Sequence, residues 1–153
     1  MLLRASLITT ASPDSVLAYV ANLDDYPSWM SLVHSTHREA GAVPPAWSVE
    51  LRARVGPLAR SKRLRMVRTE YLVGEFSRIV FERSETDGRR HAAWRLEVTV
   101  GPARTSDAAA GSASTELAMV LSYDGRFFVS VVESVLRQNV EAGRNRLAEL
   151  LAG

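Results

Sequence analysis

Strict alternation of apolar and polar residues marks Trp47-Ser48-Val49-Glu50-Leu51-Arg52-Ala53-Arg54-Val55. Successive side chains of a β-strand point to opposite faces, so all the apolar residues of this stretch share one face. Such alternation is typical of an antiparallel sheet that packs one face on a core and leaves the other in water. The same period recurs, in places more loosely, over 2–10, 32–39, 58–72, 78–84, 92–100 and 115–123. The sequence therefore predicts six or seven antiparallel strands.

Helical signals occur at two places in the chain. Ser12-Pro13-Asp14 is a helix start, because serine caps free amides, proline suits the first helical position and aspartate favours the positive end of the helix dipole. Apolar residues at helical spacing follow up to Leu23, Pro27 ends this segment, and 28–31 is expected to form one more short turn. The second place is 126–151, a predicted helix of about 26 residues. Its apolar stripe contains Phe128, Val131, Val132, Val135, Leu136, Leu147 and Leu150.

These elements have one economical arrangement, an α+β fold. A curved antiparallel sheet wraps around the long C-terminal helix, and two short helices after strand 1 close one end. A curved sheet that grips one helix leaves volume unfilled, which predicts an internal pocket. The 153 residues suffice for one core, so residues 1–153 are expected to form a single ligand-binding domain. The stretch 101–113, rich in Ala, Ser and Gly, is expected to be a hairpin loop.

Composition excludes several classes of protein. Hydrophobic residues make up 46% of the chain and charged residues 24%, which are globular proportions. No stretch approaches the roughly 18 to 20 uninterrupted apolar residues of a membrane helix. The absence of cysteine excludes disulfides, iron–sulfur clusters and thiol nucleophiles. Because Arg4 and Ser6 interrupt the short apolar N-terminus, we expect no signal peptide, no integral membrane association and a cytoplasmic location.

The basic residues are concentrated in 51–69, which holds seven of them and no acidic residue, although the net charge of the chain is only +2. Nucleic-acid binding is not expected, because the cations alternate with apolar residues on a strand instead of lying beside exposed aromatics. One interpretation is a solvated outer face, on which Arg52 and Arg54 pair with Glu82 across strands. An acidic partner would also fit such a face.

The other interpretation places one or two cations on the inner face. Lys62, Leu64, Met66 and Arg68 share a face by alternation, so the two charges would flank two core residues. A cation at a pocket rim holds a carboxylate, phenolate or phosphate, which makes Lys62 and Arg68 candidate polar anchors. The opposite parity, with Arg63 and Arg65 inward, stays open at this point, since a bulge would exchange the two faces.

Motifs of nucleophilic, nucleotide and metal chemistry are missing from the sequence. There is no Gly-x-Ser-x-Gly elbow and no phosphate-binding glycine loop. His34 and His37 lie three positions apart on a predicted strand, so they point to opposite faces, and His91 stands beside two arginines. We therefore expect neither a metal site nor a cofactor.

Two short motifs carry a family resemblance. Residues 11–16 (Ala-Ser-Pro-Asp-Ser-Val) and 23–30 (Leu-Asp-Asp-Tyr-Pro-Ser-Trp-Met) resemble the opening signature of the START-like (SRPBCC) superfamily, which includes the birch-pollen-allergen-like proteins. The chain is most similar to the polyketide cyclase/dehydrase and coenzyme Q-binding branch, in which a strand pair like 51–67 and a Trp-centred strand like 93–96 follow. The resemblance covers nearly the whole chain, 3–150. It implies a helix-grip domain with an internal cavity for an apolar or aromatic small molecule, in a group of binders, carriers and some enzymes.

Candidate ligand-contacting residues are those on the predicted inner faces and at the turn after the first helix. Trp and Tyr combine flat apolar faces with polar tips, which suits a lipid, a quinone or a polyketide-like chain. Tyr26, Trp29 and Met30 are expected to cover the cavity mouth. The candidates are Trp29, Met30, Trp47, Met66, Phe81, Trp94, Met119, Tyr123, Phe128 and Asn139.

Asn139 interrupts the apolar stripe of the last helix, and Gly143 follows one turn later. A buried amide needs a hydrogen-bond partner. The partner is either a backbone carbonyl or internal water, or else a polar ligand atom beside space left at Gly143.

Three functions remain open from the sequence. The first is binding of a hydrophobic or aromatic small molecule in the internal cavity. The second is a polyketide aromatase/cyclase that uses a buried acid or base, with Arg68, Glu82, His34 and Tyr123 as candidate catalytic residues that form no obligatory constellation. The third is an interaction module with a filled core and a basic outer surface. A homodimer is also left open.

Overall fold

The fold is described from a computed structural model, which defines residues 1–103, 113–125 and 129–153, without the side chains of residues 55 and 129–132. The elements are β1 (Leu2–Thr9), α1 (Pro13–Val20), a 3₁₀ helix (Leu23–Ser28), β2 (Val33–Arg38), β3 (Ala46–Val55), β4 (Leu58–Leu72), β5 (Ser77–Arg83), β6 (Trp94–Pro102), β7 (Thr115–Tyr123) and α2 (Val129–Ala152).

The strands of the described residues form one antiparallel sheet of seven, in the order β1-β7-β6-β5-β4-β3-β2. α2 packs against β1 at one margin of the sheet and against β3 near the other. One helix reaches both margins because the twisted sheet curves around it. The predicted α+β helix-grip architecture is confirmed.

The two short helices lie after β1, but their bounds differ from the prediction. α1 starts as predicted, and the Ser12 Oγ accepts the hydrogen bond of a backbone amide three residues on at 3.1 Å. α1 ends at Val20, earlier than predicted, because Asn22 is extended with φ −128° and ψ 137°. The second short helix is therefore Leu23–Ser28, five residues earlier than expected, and the stretch 28–31 has hydrogen-bonded turns but no separate helix.

Most other predicted bounds agree with the structure to within two or three residues. β4 has the predicted bounds, whereas β6 begins at Trp94 and continues to Pro102, into the stretch predicted as a loop. The remainder of that loop at 104–112 and the predicted helix start at 126–128 lie outside the described residues. Among the described residues, no helix combines the length and the apolar character that crossing a membrane requires.

The register of β4 settles which of its side chains face α2. Leu64 and Met66 are buried on the inner face, opposite apolar residues of β3. Lys62 shares this face by alternation, whereas Arg63 lies on the outer face, opposite Glu50. The parity that places Lys62 inward is the one the chain adopts.

The outer face carries ion pairs, although not with the predicted partners. Arg52 lies 3.5 Å from Glu50, and Glu82 pairs with Arg95 at 3.2 Å. β4 separates β3 from β5, so the predicted pairing of Arg52 and Arg54 with Glu82 is wrong.

Candidate functional site

A cavity of about 90 Å³ lies between the inner face of the sheet and α2, and it is partly open to the outside. Its walls come from β1, β2, β3, β4, β6 and β7, from the 3₁₀ helix with the segment after it, and from one residue of α2. The lining residues are Leu3, Ala5, Leu23, Tyr26, Met30, Leu32, Val33, Val49, Leu51, Leu64, Met66, Trp94, Leu96, Met119, Leu121 and Val140.

The cavity wall is almost entirely apolar. Among the described lining residues, Tyr26 is the one with an ionisable side chain, and its hydroxyl donates to the Val20 carbonyl oxygen at 3.0 Å. Burial, with a smaller effect of the Asp25 charge, raises the pKa of Tyr26. The phenol therefore stays neutral and engaged with backbone at physiological pH.

Four residues of the candidate ligand set belong to the lining: Met30, Met66, Trp94 and Met119. The other described candidates, which lie outside the lining, are Trp29, Trp47, Phe81, Tyr123 and Asn139. Phe128 lies outside the described residues. Ligand contact by any of these side chains stays a prediction.

Three aromatic candidates, Trp29, Trp47 and Phe81, pack with Tyr26 at the end of the sheet beside the 3₁₀ helix, which we call the closed end. Phe81 meets Trp47 edge to face at 5.7 Å between ring centroids and Tyr26 at 6.0 Å, and Tyr26 packs against Trp29 at 4.8 Å. Trp47 and Phe81 are fully buried. Edge-to-face rings fill volume efficiently, so this end of the inner face is core.

A polar network secures this closed end. The Asp24 carboxylate accepts hydrogen bonds from the Trp47 indole at 2.9 Å and from Arg38 at 2.8 and 3.2 Å. Burial alone would raise the pKa of Asp24, but the hydrogen bonds from Arg38 and Trp47 outweigh it and hold the pKa below its usual value. Arg38 also donates to the Asn22 side chain at 3.0 Å.

Trp94 is the exception among the tryptophans. The Trp29 indole donates to the Tyr19 carbonyl oxygen at 3.0 Å, and Trp47 donates to Asp24. Trp94 is a lining residue, and its buried Nε1 has no acceptor among the described residues. The Trp94 ring lies against Tyr123, with 4.5 Å between centroids and 38° between planes.

Both hydrogen-bond partners of the Asn139 side chain are residues of this chain. Its Nδ2 donates to the Val135 carbonyl oxygen at 2.8 Å, and its Oδ1 accepts from the Ser31 hydroxyl at 3.3 Å. The backbone-carbonyl alternative is therefore the one the structure shows. The space expected at Gly143 is filled, since a Cβ there would lie 2.8 Å from the Met30 Sδ.

The two candidate anchors occupy different places. Lys62 lies opposite Leu51, a lining residue, at the exposed continuation of the inner face. Burial and the nearby Arg83 charge lower the pKa of Lys62, and the negative charge of Glu85 partly opposes them. Arg68 lies outside the lining: its Nη1 donates to the Ala21 carbonyl oxygen at 3.0 Å and to a side-chain oxygen at 2.8 Å. It ties β4 to the end of α1.

The four candidate catalytic residues are not brought together. His34 is exposed at a bulge of β2, and Glu82 is engaged on the outer face. Arg68 is bound at the end of α1, and Tyr123 is half-buried beside Trp94. The structure therefore shows no acid–base pair made from them.

The histidines and carboxylates of the described residues form no cluster of three that could hold a metal ion. His91 instead approaches Asp87 at 2.8 Å. We assign no metal site to these residues.

Sequence reasoning missed the aliphatic majority of the wall and Arg83. The Arg83 side chain is 6% exposed, lies opposite Met66 and pairs with Glu85 at 2.9 Å. The alternation Ile79, Phe81, Arg83 was a signal that could have placed it on the inner face.

Residues 3–152 match the family described as polyketide cyclase / dehydrase and lipid transport. The chain belongs to this family. The match spans both the closed aromatic end and the cavity. No curated protein matches the chain significantly.

Solved structures of similar fold cover almost all of this family member. The START superfamily protein from Mycobacterium smegmatis has a TM-score of 0.67 at 15% identity, covering 99% of this chain and 97% of that one. The Zhui aromatase/cyclase from Streptomyces sp. R1128 has a TM-score of 0.64 at 14% identity, covering 99% and 93%. A protein from Deinococcus radiodurans has 0.66 at 17% identity, covering 97% and 95%. At these identities the likeness shows the fold alone.

Proposed function

We propose that this member of the polyketide cyclase/dehydrase and lipid-transport family binds a small, mainly apolar organic molecule in the cavity between the sheet and α2. One observation carries the proposal: the described lining consists of aliphatic, methionine and aromatic side chains without a charged group. Water in such a cavity finds few hydrogen-bond partners, so an apolar ligand that replaces it is favoured.

The size of the cavity limits the part of the ligand that it encloses. A sealed apolar cavity of about 150 Å³ binds benzene in a model protein, and the present cavity measures about 90 Å³. Because this cavity is partly open, a ligand places one apolar end inside and extends through the opening. Flat or chain-like molecules of the lipid, quinone or polyketide-like kind have this shape.

Lys62 supports an amphipathic version of the ligand. It lies beside the lining on the inner face and has no ion-pair partner among the described residues. A carboxylate at the opening would be drawn to this ammonium. We expect Lys62→Gln to weaken binding of 4-phenylbutyrate about two- to fivefold, as for an exposed ion pair. Arg63→Gln, on the outer face, is the matched control and should leave the affinity unchanged.

Binding is preferred to turnover because the described cavity wall holds no acid–base pair. Tyr26 is neutral and bound to backbone, and the four candidate catalytic residues lie elsewhere. Cyclisation or dehydration of a polyketide-like chain is the alternative, supported by the family's description. A positioned general acid or base within reach of the ligand is what that alternative requires.

A substitution that fills the cavity with a larger side chain tests the proposed binding site. Ala5 lies on the inner face and lines the cavity, while Ala118, on the neighbouring strand, lies opposite Ser6 on the outer face. Ala5→Leu should reduce the affinity for indane at least tenfold, and Ala118→Leu should leave it unchanged, as measured by titration followed by methyl NMR. Equal affinities in the two variants, or no binding of indane to the parent chain, would refute the proposal.

A further inference from the structure

We propose that Trp94 determines ligand specificity, because its indole N–H donates a hydrogen bond to a carbonyl oxygen of the bound molecule. The ligand class is then a neutral ketone or quinone-like compound with an apolar body. This inference rests on the proposed function, since it needs a ligand in the cavity.

The first argument is the contrast between the three tryptophans. Trp29 and Trp47 are 2% and 0% exposed, and they donate to oxygen acceptors at 3.0 and 2.9 Å. Trp94 is 7% exposed, and its Nε1 has no acceptor among the described residues. Buried indole donors normally find a partner. The donor without a partner is also the one whose ring lines the cavity.

The second argument is the energy of an unsatisfied donor. A buried N–H without an acceptor loses its hydrogen bond to water and gains nothing in exchange. A ligand oxygen that accepts this bond recovers the loss, whereas a hydrocarbon ligand does not. A site with an unpaired polar group therefore discriminates between molecules that differ in one acceptor.

The third argument concerns charge. The described lining has no cation that could neutralise a carboxylate or phenolate deep in the cavity. An anion placed there would lose its hydration without a counter-ion, which is far costlier than burying a neutral carbonyl. The acceptor at Trp94 is therefore a neutral oxygen, and any acidic group of the ligand stays at the opening.

Hydrogen bonds hold the backbone next to Trp94 in place. A movement of the donor toward the ligand therefore has to come from the indole side chain. Ala93 donates to the Asp124 carboxylate at 2.6 Å, and the Asp124 amide donates back to the Ala93 carbonyl oxygen at 3.3 Å. The Nε1 atom itself is buried, so the proposal requires the indole to rotate about its side-chain bonds until the donor meets an entering oxygen.

The test compares indane with 1-indanone, two rigid bicyclic molecules that differ by a carbonyl oxygen. Dissociation constants are measured by NMR titration for the parent chain, for Trp94→Phe and for Trp47→Phe as the control. The hydrocarbon leaves water more readily, so the quantity compared is the ratio of the two constants. Loss of one neutral hydrogen bond should change this ratio about three- to tenfold in Trp94→Phe alone.

The indole proton signals give a second measurement. The Trp94 signal, assigned by its absence in Trp94→Phe, should move downfield with 1-indanone and not with indane, while the Trp29 and Trp47 signals stay in place. If indane binds but the ratio is the same in Trp94→Phe as in the parent chain, this inference is overturned and the proposed function stands. If neither molecule binds, both fail.

Discussion

Replacement of Asp24 isolates the hydrogen bond between its carboxylate and the Trp47 indole. Trp47 is fully buried, so loss of its acceptor leaves an unsatisfied donor, which costs about 1–3 kcal/mol. The Arg38 ion pair is 45% and 42% exposed at its two side chains and adds only about 0–1 kcal/mol. We therefore expect Asp24→Ala to lower the free energy of unfolding by about 2–3 kcal/mol.

Asp24→Asn separates the two contributions, because its amide oxygen still accepts from Trp47 while the charge is lost. We expect it to cost about 1 kcal/mol or less. Urea denaturation measures both variants, and the melting temperature should fall about 2–4 °C per kcal/mol in a domain of this size. Arg38→Ala keeps the acceptor but removes the ion pair, the hydrogen bond to Asn22 and the contact of the guanidinium with the Trp47 ring, so its loss should fall between those of Asp24→Asn and Asp24→Ala.

The pH dependence follows from the lowered pKa of Asp24. The stabilisation by its charge is complete above the unfolded-state value of about 3.9 and is lost as pH falls through the lower folded-state value. The gap between the parent chain and Asp24→Asn should therefore be constant above about pH 5 and close below pH 4. Equal losses in Asp24→Ala, Asp24→Asn and Arg38→Ala would refute the assignment of the main effect to the buried indole.

Two further substitutions probe neighbouring features. Burial, with the charge of Asp24, raises the pKa of Asp25, so Asp25→Asn should exceed the parent in stability by up to about 0.5 kcal/mol at pH 7 and match it below pH 4. A parent that is more stable than Asp25→Asn at pH 7 would contradict this. Gly143→Leu should destabilise by about 1–3 kcal/mol, because a Cβ there would lie 2.8 Å from the Met30 Sδ, whereas exposed Ala142→Leu should stay within about 0.5 kcal/mol. Thermal melts of the two leucine variants that coincide would show that α2 has room to move away.

The fold could be predicted from local patterns because apolar and polar residues alternate along each strand. The alternation in β4 put Lys62, Leu64 and Met66 on one face without deciding whether that face is inner, and the register then placed it inside. Both faces of β4 carry cations, so the polarity of its residues does not identify the inner face. The pairing with the neighbouring strand was needed to choose between the two parities. That choice is a property of pairing, which one segment does not contain.

The site was harder to predict than the fold. Aromatic residues were favoured for the cavity, yet Trp47 and Phe81 pack against each other at the closed end, and most of the wall is aliphatic. Which part of an inner face stays empty depends on how closely the helix approaches it. The close contact of Gly143 with Met30 is part of that approach, and such a tertiary contact has no periodic signature in the sequence.

Gly143 and its neighbour Arg144 fasten α2 to opposite ends of the strand order. Gly143 lies against Met30, just before β2, and the Arg144 Nε donates to the Ser6 carbonyl oxygen of β1 at 2.6 Å. Because the two residues are adjacent, both contacts hold α2 at one level along its axis, which we call the pivot. We expect guests of different width to tilt α2 about this pivot while the strand pairing stays unchanged. We expect mutations at the pivot to alter how large a guest is tolerated, and those in the wall to alter which chemistry it carries.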